Sequence, residues 1–296
     1  MRALRHAQAL RERKQMKFDG ILLCSDFDRT FTDHTKNYAE GENVLAHVPE
    51  KNLAAVKRFV TGGGVFAIVS GRNPDEISLL ADYAPIADLC VASNGTAVYS
   101  ISEKRAVVSY TMDEDFLRTL RYLVSDGGMT FFRITDNDFR FAYWREGDDF
   151  DKAVSVAKFP VYKAIVENES EERIEKWRRE LIGKFAGEYS IELSGSRTLE
   201  ICPKGSGKAQ ALVKMRELLE LRRGKKFDKL VCVGDNQNDV GMIALADIGF
   251  AVGNAIPAAK LAATEITVPA SDGAIEAVVN RLYEIADGIK NNGGRI

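Results

Sequence analysis

The 296-residue chain carries 41 Lys and Arg against 43 Asp and Glu, a net charge of −2, with 28% charged and 45% hydrophobic residues. A length near twice the ~150 residues of one domain points to two domains or to one core with a large insert. This composition excludes a collagen, a coiled coil or a disordered chain, and gives no global electrostatic reason to bind nucleic acid or a membrane surface.

The first 17 residues hold Arg2, Arg5, Arg11, Arg13, Lys14 and Lys17 with no apolar signal region behind them, and read as a basic, solvated leader. No later apolar stretch approaches the ~20 residues of a membrane-spanning helix. Only three histidines occur, His6, His34 and His47, none at ligand spacing, so a metal site here falls to carboxylates and to a hard ion. Cys24, Cys90, Cys202 and Cys232 lie in separate apolar runs and read as buried free thiols in a reducing cytoplasm.

Short apolar runs at Ile21–Cys24, Val65–Val69, Leu89–Ala92, Leu230–Val233 and Gly249–Val252 alternate with helical patterns, as in a doubly wound parallel sheet covered on both faces. Each run ends in polar residues, and ligands of such sheets bind beyond the carboxyl ends of the strands. The first run empties into Asp26-Phe27-Asp28-Arg29-Thr30, where an extended backbone turns both carboxylates the same way. Two adjacent carboxylates repel, so a solvated acidic turn and a Mg²⁺ site are the two readings at this point.

The second run ends in Ser70-Gly71-Arg72, followed by Asn73-Pro74-Asp75-Glu76, a helix start with proline at its first position and a glutamate placed for a capping box. The helix opening there makes an anion site of the Ser70-Gly71-Arg72 turn. The third run ends in Ser93-Asn94-Gly95.

From about residue 112 to 201 the pattern changes: a helix over Phe116–Val124, strands near Thr130–Ile134, Phe139–Trp144 and Val161–Val166, then a helix over Glu171–Phe185 and strands near Tyr189–Leu193 and Arg197–Ile201. Ile174, Trp177, Leu181 and Phe185 form one apolar stripe on the second helix. This reads as an α+β module inserted into a discontinuous core of residues 1–111 and 202–296, its sheet open on one face. Such a face leaves a monomer and a homodimer both open.

After the insert, Pro203-Lys204-Gly205-Ser206-Gly207-Lys208 opens another helix. It fails as a P-loop, because Ala209 replaces Ser or Thr and Cys202 stands at the first glycine, but Lys208 can still neutralise phosphate oxygens. The next strand ends in Gly234-Asp235-Asn236-Gln237-Asn238-Asp239, a second acidic cluster at the same sheet edge as Asp26 and Asp28.

In order, Asp26-x-Asp28-x-Thr30, Ser70-Gly71-Arg72, Lys208 and Gly234-Asp235-x-x-Asn238-Asp239 resemble the four motifs of the haloacid dehalogenase superfamily. The place of the insert resembles the Cof-type members with a type IIB α/β cap, and Ser93-Asn94-Gly95 and Ser271-Asp272-Gly273 resemble further landmarks of that group. The resemblance implies a Rossmann-like core with an inserted cap, and a Mg²⁺-dependent phosphatase acting on a small phosphorylated metabolite such as a sugar phosphate.

In that scheme Asp26 is the nucleophile that becomes an aspartyl-phosphate, and Asp28 the acid and then the base. Thr30, Ser70, Gly71, Lys208 and Asn238 belong to phosphate binding, with Thr30 orienting the nucleophile loop. Arg72 and Asn94 contact substrate, and Asp26, Asp28, Asp235 and Asp239 hold the metal, with Asp239 behind the others. Cap residues Arg133, Arg140, Tyr143 and Lys163 are candidates for reading the leaving group.

One departure is Arg29, where the family carries glycine; its side chain either contacts the leaving group or points to solvent. A phosphosugar mutase and a non-catalytic phosphate or Mg²⁺ binder are the alternatives. Turnover and the nature of the product separate them.

Overall fold

The computed structural model describes residues 16–33, 47–185 and 187–291. The basic leader through Lys14, His6 and His34 lie outside the described residues.

Chain order begins with β1 (Ile21–Ser25), α1 (Glu50–Thr61), β2 (Val65–Ile68), α2 (Pro74–Ser78), β3 (Leu89–Ala92), β4 (Ala97–Ser100) and β5 (Arg105–Ser109). After the middle segment it resumes with α6 (Lys208–Arg223), β11 (Lys229–Gly234), α7 (Val240–Leu245), β12 (Ile248–Ala251), α8 (Pro257–Ala262), β13 (Glu265–Ile266) and α9 (Ala274–Asn291). A parallel sheet of order β13-β12-β11-β1-β2 results, with β1 at the inner position between β11 and β2.

The apolar run Ile21–Cys24 of β1 follows from burial on both faces. Ile21 and Leu23 point into a cluster with Phe59, Phe66 and Val278, whereas Leu22 and Cys24 point to the opposite cluster with Leu212 and Met215 of α6. β1 and β11 run in register, Cys24 beside Cys232, so the residues that follow them, Asp26 and Asp235, leave the sheet side by side. All four cysteines are buried and none forms a disulfide.

The third apolar run departs from expectation. β3 touches the parallel sheet through a single bridge, Val69 to Val91, and pairs antiparallel with β4, which pairs with β5. The turn is made by Ser93-Asn94-Gly95, where Asn94 (φ 59°) and Gly95 (φ 89°) reverse the chain. Glycine is required at 95: a Cβ there would stand 2.1 Å from the Gly207 carbonyl carbon. The pair Gly95 and Gly207 thus lets this hairpin close onto the start of the Lys208 helix.

The middle segment comprises α3 (Leu117–Asp126), β6 (Phe131–Thr135), β7 (Phe141–Arg145), α4 (Phe150–Val154), β8 (Lys163–Glu167), α5 (Glu171–Phe185), β9 (Tyr189–Gly195) and β10 (Thr198–Pro203). Its five strands form a separate antiparallel sheet of order β7-β6-β8-β10-β9. Phe132, Ile134, Trp144, Val166 and Leu199 face α3 and α5 and bury Trp177 completely. Alternation leaves the other face to Arg133, Phe141, Lys163, Ile165 and Glu200. The expected start of the first helix shifts slightly, because Phe116 ends a 3₁₀ turn before α3; a further 3₁₀ turn, Gln237–Asp239, precedes α7. Among the described residues no helix is long and apolar enough to cross a membrane.

Candidate active site

β1 delivers Asp26 to the carboxyl edge of the sheet, where its N–H donates to the Val233 carbonyl at 2.9 Å. The neighbouring Ser25 hydroxyl donates to the Asp26 carbonyl at 2.6 Å. Asp26 is only 4% exposed, as is Asp235, and Asp239 is fully buried. One carboxylate oxygen from each of the three lies within 4.8 Å of the others.

Lys208 enters this cluster from the first residue of α6. Its ammonium donates to Asp26 Oδ1 at 2.6 Å and to Asp239 Oδ1 at 2.7 Å. Asp239 Oδ2 accepts from the backbone N–H groups of Asp235 and Asn236, both at 3.0 Å. Both Asp239 oxygens are therefore engaged, and the residue acts as a strut under the Asp235 loop.

Three buried carboxylates around one ammonium leave an excess of negative charge. Burial, followed by repulsion from Asp239, holds Asp26 well above the usual carboxylate range and pushes Asp235 up to about 7. Burial opposes the charge on Lys208 as well, but Asp239 and Asp26 outweigh it and hold the ammonium above the ordinary lysine value. The donor set, all carboxylate oxygens at close range, fits a hard cation such as Mg²⁺, which would relieve the crowding.

Asp28 is not one of the three clustered carboxylates. The Arg72 guanidinium holds its carboxylate as a fork, Nε to Oδ2 at 2.8 Å and Nη2 to Oδ1 at 2.7 Å, while Nη1 reaches Glu76 Oε1 at 2.5 Å. Glu76 also accepts from the Asn73 N–H at 3.2 Å, so the capping-box glutamate serves the helix and the arginine together. Phe27 lies under the guanidinium, 5.4 Å from its ring centre.

Arg29 takes φ 59°, the left-handed region that explains a glycine preference at this position. Its carbonyl accepts from Asn254 at 2.9 Å, and its Nε stands 3.5 Å from Asp235 Oδ2. The side chain thus turns back onto the acidic loop on the cavity wall.

These groups line a cavity of about 450 Å³ between the parallel sheet and the open face of the antiparallel one. Asp26, Asp28, Glu76, Glu200 and Asp235 share its wall with Arg29, Arg72, Arg133, Lys163 and Lys208. Of the other expected residues, Gly71, Asn94 and Asn238 line it, while Thr30, Ser70 and Asp239 stand behind the wall. Ser70 is fully buried and its Oγ accepts from the Arg72 N–H at 3.1 Å. Thr30 is fully buried, with a hydroxyl that has no hydrogen-bond partner. Arg133 and Lys163 reach the cavity; Arg140 and Tyr143 are not on its wall.

Glu200, Phe141 and Ile165 of the wall were not singled out by sequence reasoning. Period-two alternation on β7, β8 and β10 is the signal that places them on one face. Asn94 links the two sheets: its amide accepts from Asn238 at 3.0 Å through Oδ1 and donates to Glu200 through Nδ2. Gly71 leaves room for it, since a Cβ there would meet Asn94 Oδ1 at 2.7 Å.

A family model described as haloacid dehalogenase-like hydrolase matches residues 23–279. A 5-amino-6-(5-phospho-D-ribitylamino)uracil phosphatase of Bacillus subtilis is 24% identical over 234 residues, 78% of this chain and 87% of that protein. A haloacid dehalogenase-like hydrolase from Bacteroides thetaiotaomicron superposes with TM-score 0.71 at 20% identity, covering 90% of this chain and 99% of the other. A subclass IIB sugar phosphatase of the same superfamily gives TM-score 0.68 at 17% identity, covering 88% and 98%.

Proposed function

The chain belongs to the haloacid dehalogenase-like hydrolases, and from that premise we propose that it is a Mg²⁺-dependent phosphatase of a small phosphorylated metabolite, with a sugar phosphate as the expected kind. The observation that carries this reading is the buried Asp26, held by Lys208 at the floor of a cavity whose rim bears a second carboxylate, Asp28, two residues on.

Asp26 attacks phosphorus in line, and the bond from phosphorus to the leaving oxygen breaks as the aspartyl-phosphate forms. Asp28 gives its proton to the leaving oxygen, then takes one from the water that attacks the same phosphorus. Inorganic phosphate leaves and Asp26 is regenerated. For this, Asp28 exchanges Arg72 for the leaving oxygen, and Arg72 becomes available to the substrate. Lys208, Asn238 and the Gly71 backbone stabilise charge on the transferring phosphoryl group, with Ser70 behind the wall shaping the Gly71-Arg72 turn. Thr30 stays behind the wall and supports the nucleophile loop.

Asp26, Asp235 and the Asp28 carbonyl would hold Mg²⁺, with Asp239 positioning the Asp235 loop. When bound, the ion supplies positive charge that lets a phosphate dianion approach these carboxylates.

Residues 112–201 serve as a cap that covers the cavity and selects the leaving group. Four buried thiols in no disulfide fit a reducing cytoplasm. The open sheet face is turned to the cavity, so a monomer suffices for the site, and a homodimer is not required.

The test is release of phosphate from p-nitrophenyl phosphate. The wild-type protein turns it over, and Asp26→Asn loses at least ~10³-fold while keeping its melting temperature. Equal turnover by the two proteins overturns the assignment.

A further inference from the structure

Five cations reach the cavity, and four of them already stand against carboxylates. Lys208 lies between Asp26 and Asp239, and Arg72 between Asp28 and Glu76. Arg29 stands 3.5 Å from Asp235, and Lys163 stands 3.6 Å from Glu200 while donating to the Gly71 carbonyl at 3.1 Å. Arg133 differs. Among the described residues it forms no ion pair, and its Nε is buried without a hydrogen-bond partner.

Its position is built by the sheet. Arg133 sits mid-strand on β6, paired across to Tyr143 of β7 and to Ile165 of β8. The guanidinium carbon lies 4.5 Å from the Phe141 ring centre, so an aromatic face fixes one side of the fork. Ile165 and Phe141 also line the cavity, so the buried Nε has apolar neighbours and no hydrogen-bond acceptor among the described residues. A partly desolvated cation without a counter-charge is costly to keep, and the cost is recovered when an anion docks. A planar guanidinium suits a phosphate or a carboxylate, either of which it can bind through two parallel hydrogen bonds.

Phosphate at the reaction centre does not need this residue, because Lys208 already stands on Asp26, and Asn238 and Arg72 line the same cavity. Arg133 comes from the opposite wall, the sheet that covers the leaving group. We propose that Arg133 receives a second anionic group on the leaving group, so that the preferred substrates are phosphate monoesters that carry a further phosphate or a carboxylate. This rests on the phosphatase reading and names the substrate class of the same site.

The experiment compares matched substrates in wild type, Arg133→Ala and Arg133→Lys. One arm sets fructose 1,6-bisphosphate against fructose 6-phosphate, and the other sets 3-phosphoglycerate against glycerol 3-phosphate. Wild type favours the doubly charged member of at least one arm by ~10-fold or more in kcat/KM, mainly through KM. The arm that shows the preference identifies the second anion. Arg133→Ala brings that ratio to about one, and Arg133→Lys recovers part of it, as a point charge without the fork should. A wild-type ratio near one in both arms, or equal loss on members with and without the second anion, overturns the proposal.

Turnover of p-nitrophenyl phosphate reports the chemistry separately. If that is absent, binding to Asp26→Asn by calorimetry still decides the anion site. Fructose 1,6-bisphosphate then binds ~10-fold more weakly once Arg133→Ala is added, and equal affinities overturn the proposal.

Discussion

Arg72 holds Asp28 through two nitrogens, at 2.8 and 2.7 Å, although the residues are 44 positions apart. The fork sets where the carboxylate stands on the cavity wall before, in the proposed reaction, it exchanges Arg72 for the leaving oxygen, and Glu76 holds the guanidinium in turn. Replacing Arg72 by alanine frees Asp28 to rotate. Expected is a fall in kcat of ~10²-fold with a smaller rise in KM, because misplacing a reacting group by about 1 Å costs that much. Steady-state kinetics on p-nitrophenyl phosphate checks it, and an effect confined to KM would assign Arg72 to binding alone.

Removal of divalent ions should silence the enzyme. After EDTA and dialysis, activity drops by more than ~100-fold and returns with Mg²⁺, since the cation contributes several kcal/mol at the transferring phosphoryl group. The same titration raises the melting temperature, because a cation bound among Asp26, Asp235 and Asp239 stabilises only the folded chain. Full activity after chelation would remove the metal from the mechanism.

Arg29→Gly reverses a local strain and removes a competitor. The left-handed backbone at φ 59° costs an L-residue about 1–2 kcal/mol, which glycine does not incur. The Arg29 guanidinium, 3.5 Å from Asp235 and half exposed, is worth up to about 1 kcal/mol to that carboxylate. The variant therefore keeps or raises the melting temperature and reaches half-maximal activity at a Mg²⁺ concentration up to ~5-fold lower. A higher Mg²⁺ requirement would show that Arg29 assists the ion.

Asp88 offers a stability test away from the chemistry. Against the effect of burial, hydrogen bonds from Ser102, Ser100 and Arg222 hold its pKa at about 2, tying the β4 hairpin to the end of α6. A carboxylate lowered on folding stabilises the native state above its unfolded value of about 3.9, and that contribution is lost as pH falls through about 2. The group is largely solvent-screened, so Asp88→Asn is expected to cost about 1 kcal/mol at pH 7. Denaturant melts should show this gap closing between pH 4 and pH 2; a gap independent of pH would mean that sterics cause it.

The strand-end residues were legible because their signal is local. An apolar run followed by Asp26-Phe27-Asp28, and another followed by Gly234-Asp235, reports both burial and the edge where it stops. Partners across the fold were not legible. Arg72 read as a substrate contact, yet its choice of Asp28 and Glu76 depends on how the turn before α2 meets the loop after β1. The β3–β4 hairpin escaped because Ser93-Asn94-Gly95 has the composition of any strand end; the run of positive φ through Ser93, Asn94 and Gly95 makes it a reversal. Glu200 was hidden for another reason: alternation gives its face, but what lies opposite that face is set by the insert's docking, which no window of sequence records.

With five carboxylates and five cations on its wall, the cavity is close to an electrically closed shell. Arg133 apart, its ions are preloaded on one another, so an anion arriving at the other four cations exchanges partners. Such a pocket casts little field into solvent, and capture should begin at contact and not by steering from a distance. Association would then vary little with ionic strength, and discrimination would fall to the one guanidinium, Arg133, that enters the encounter with its valence unspent.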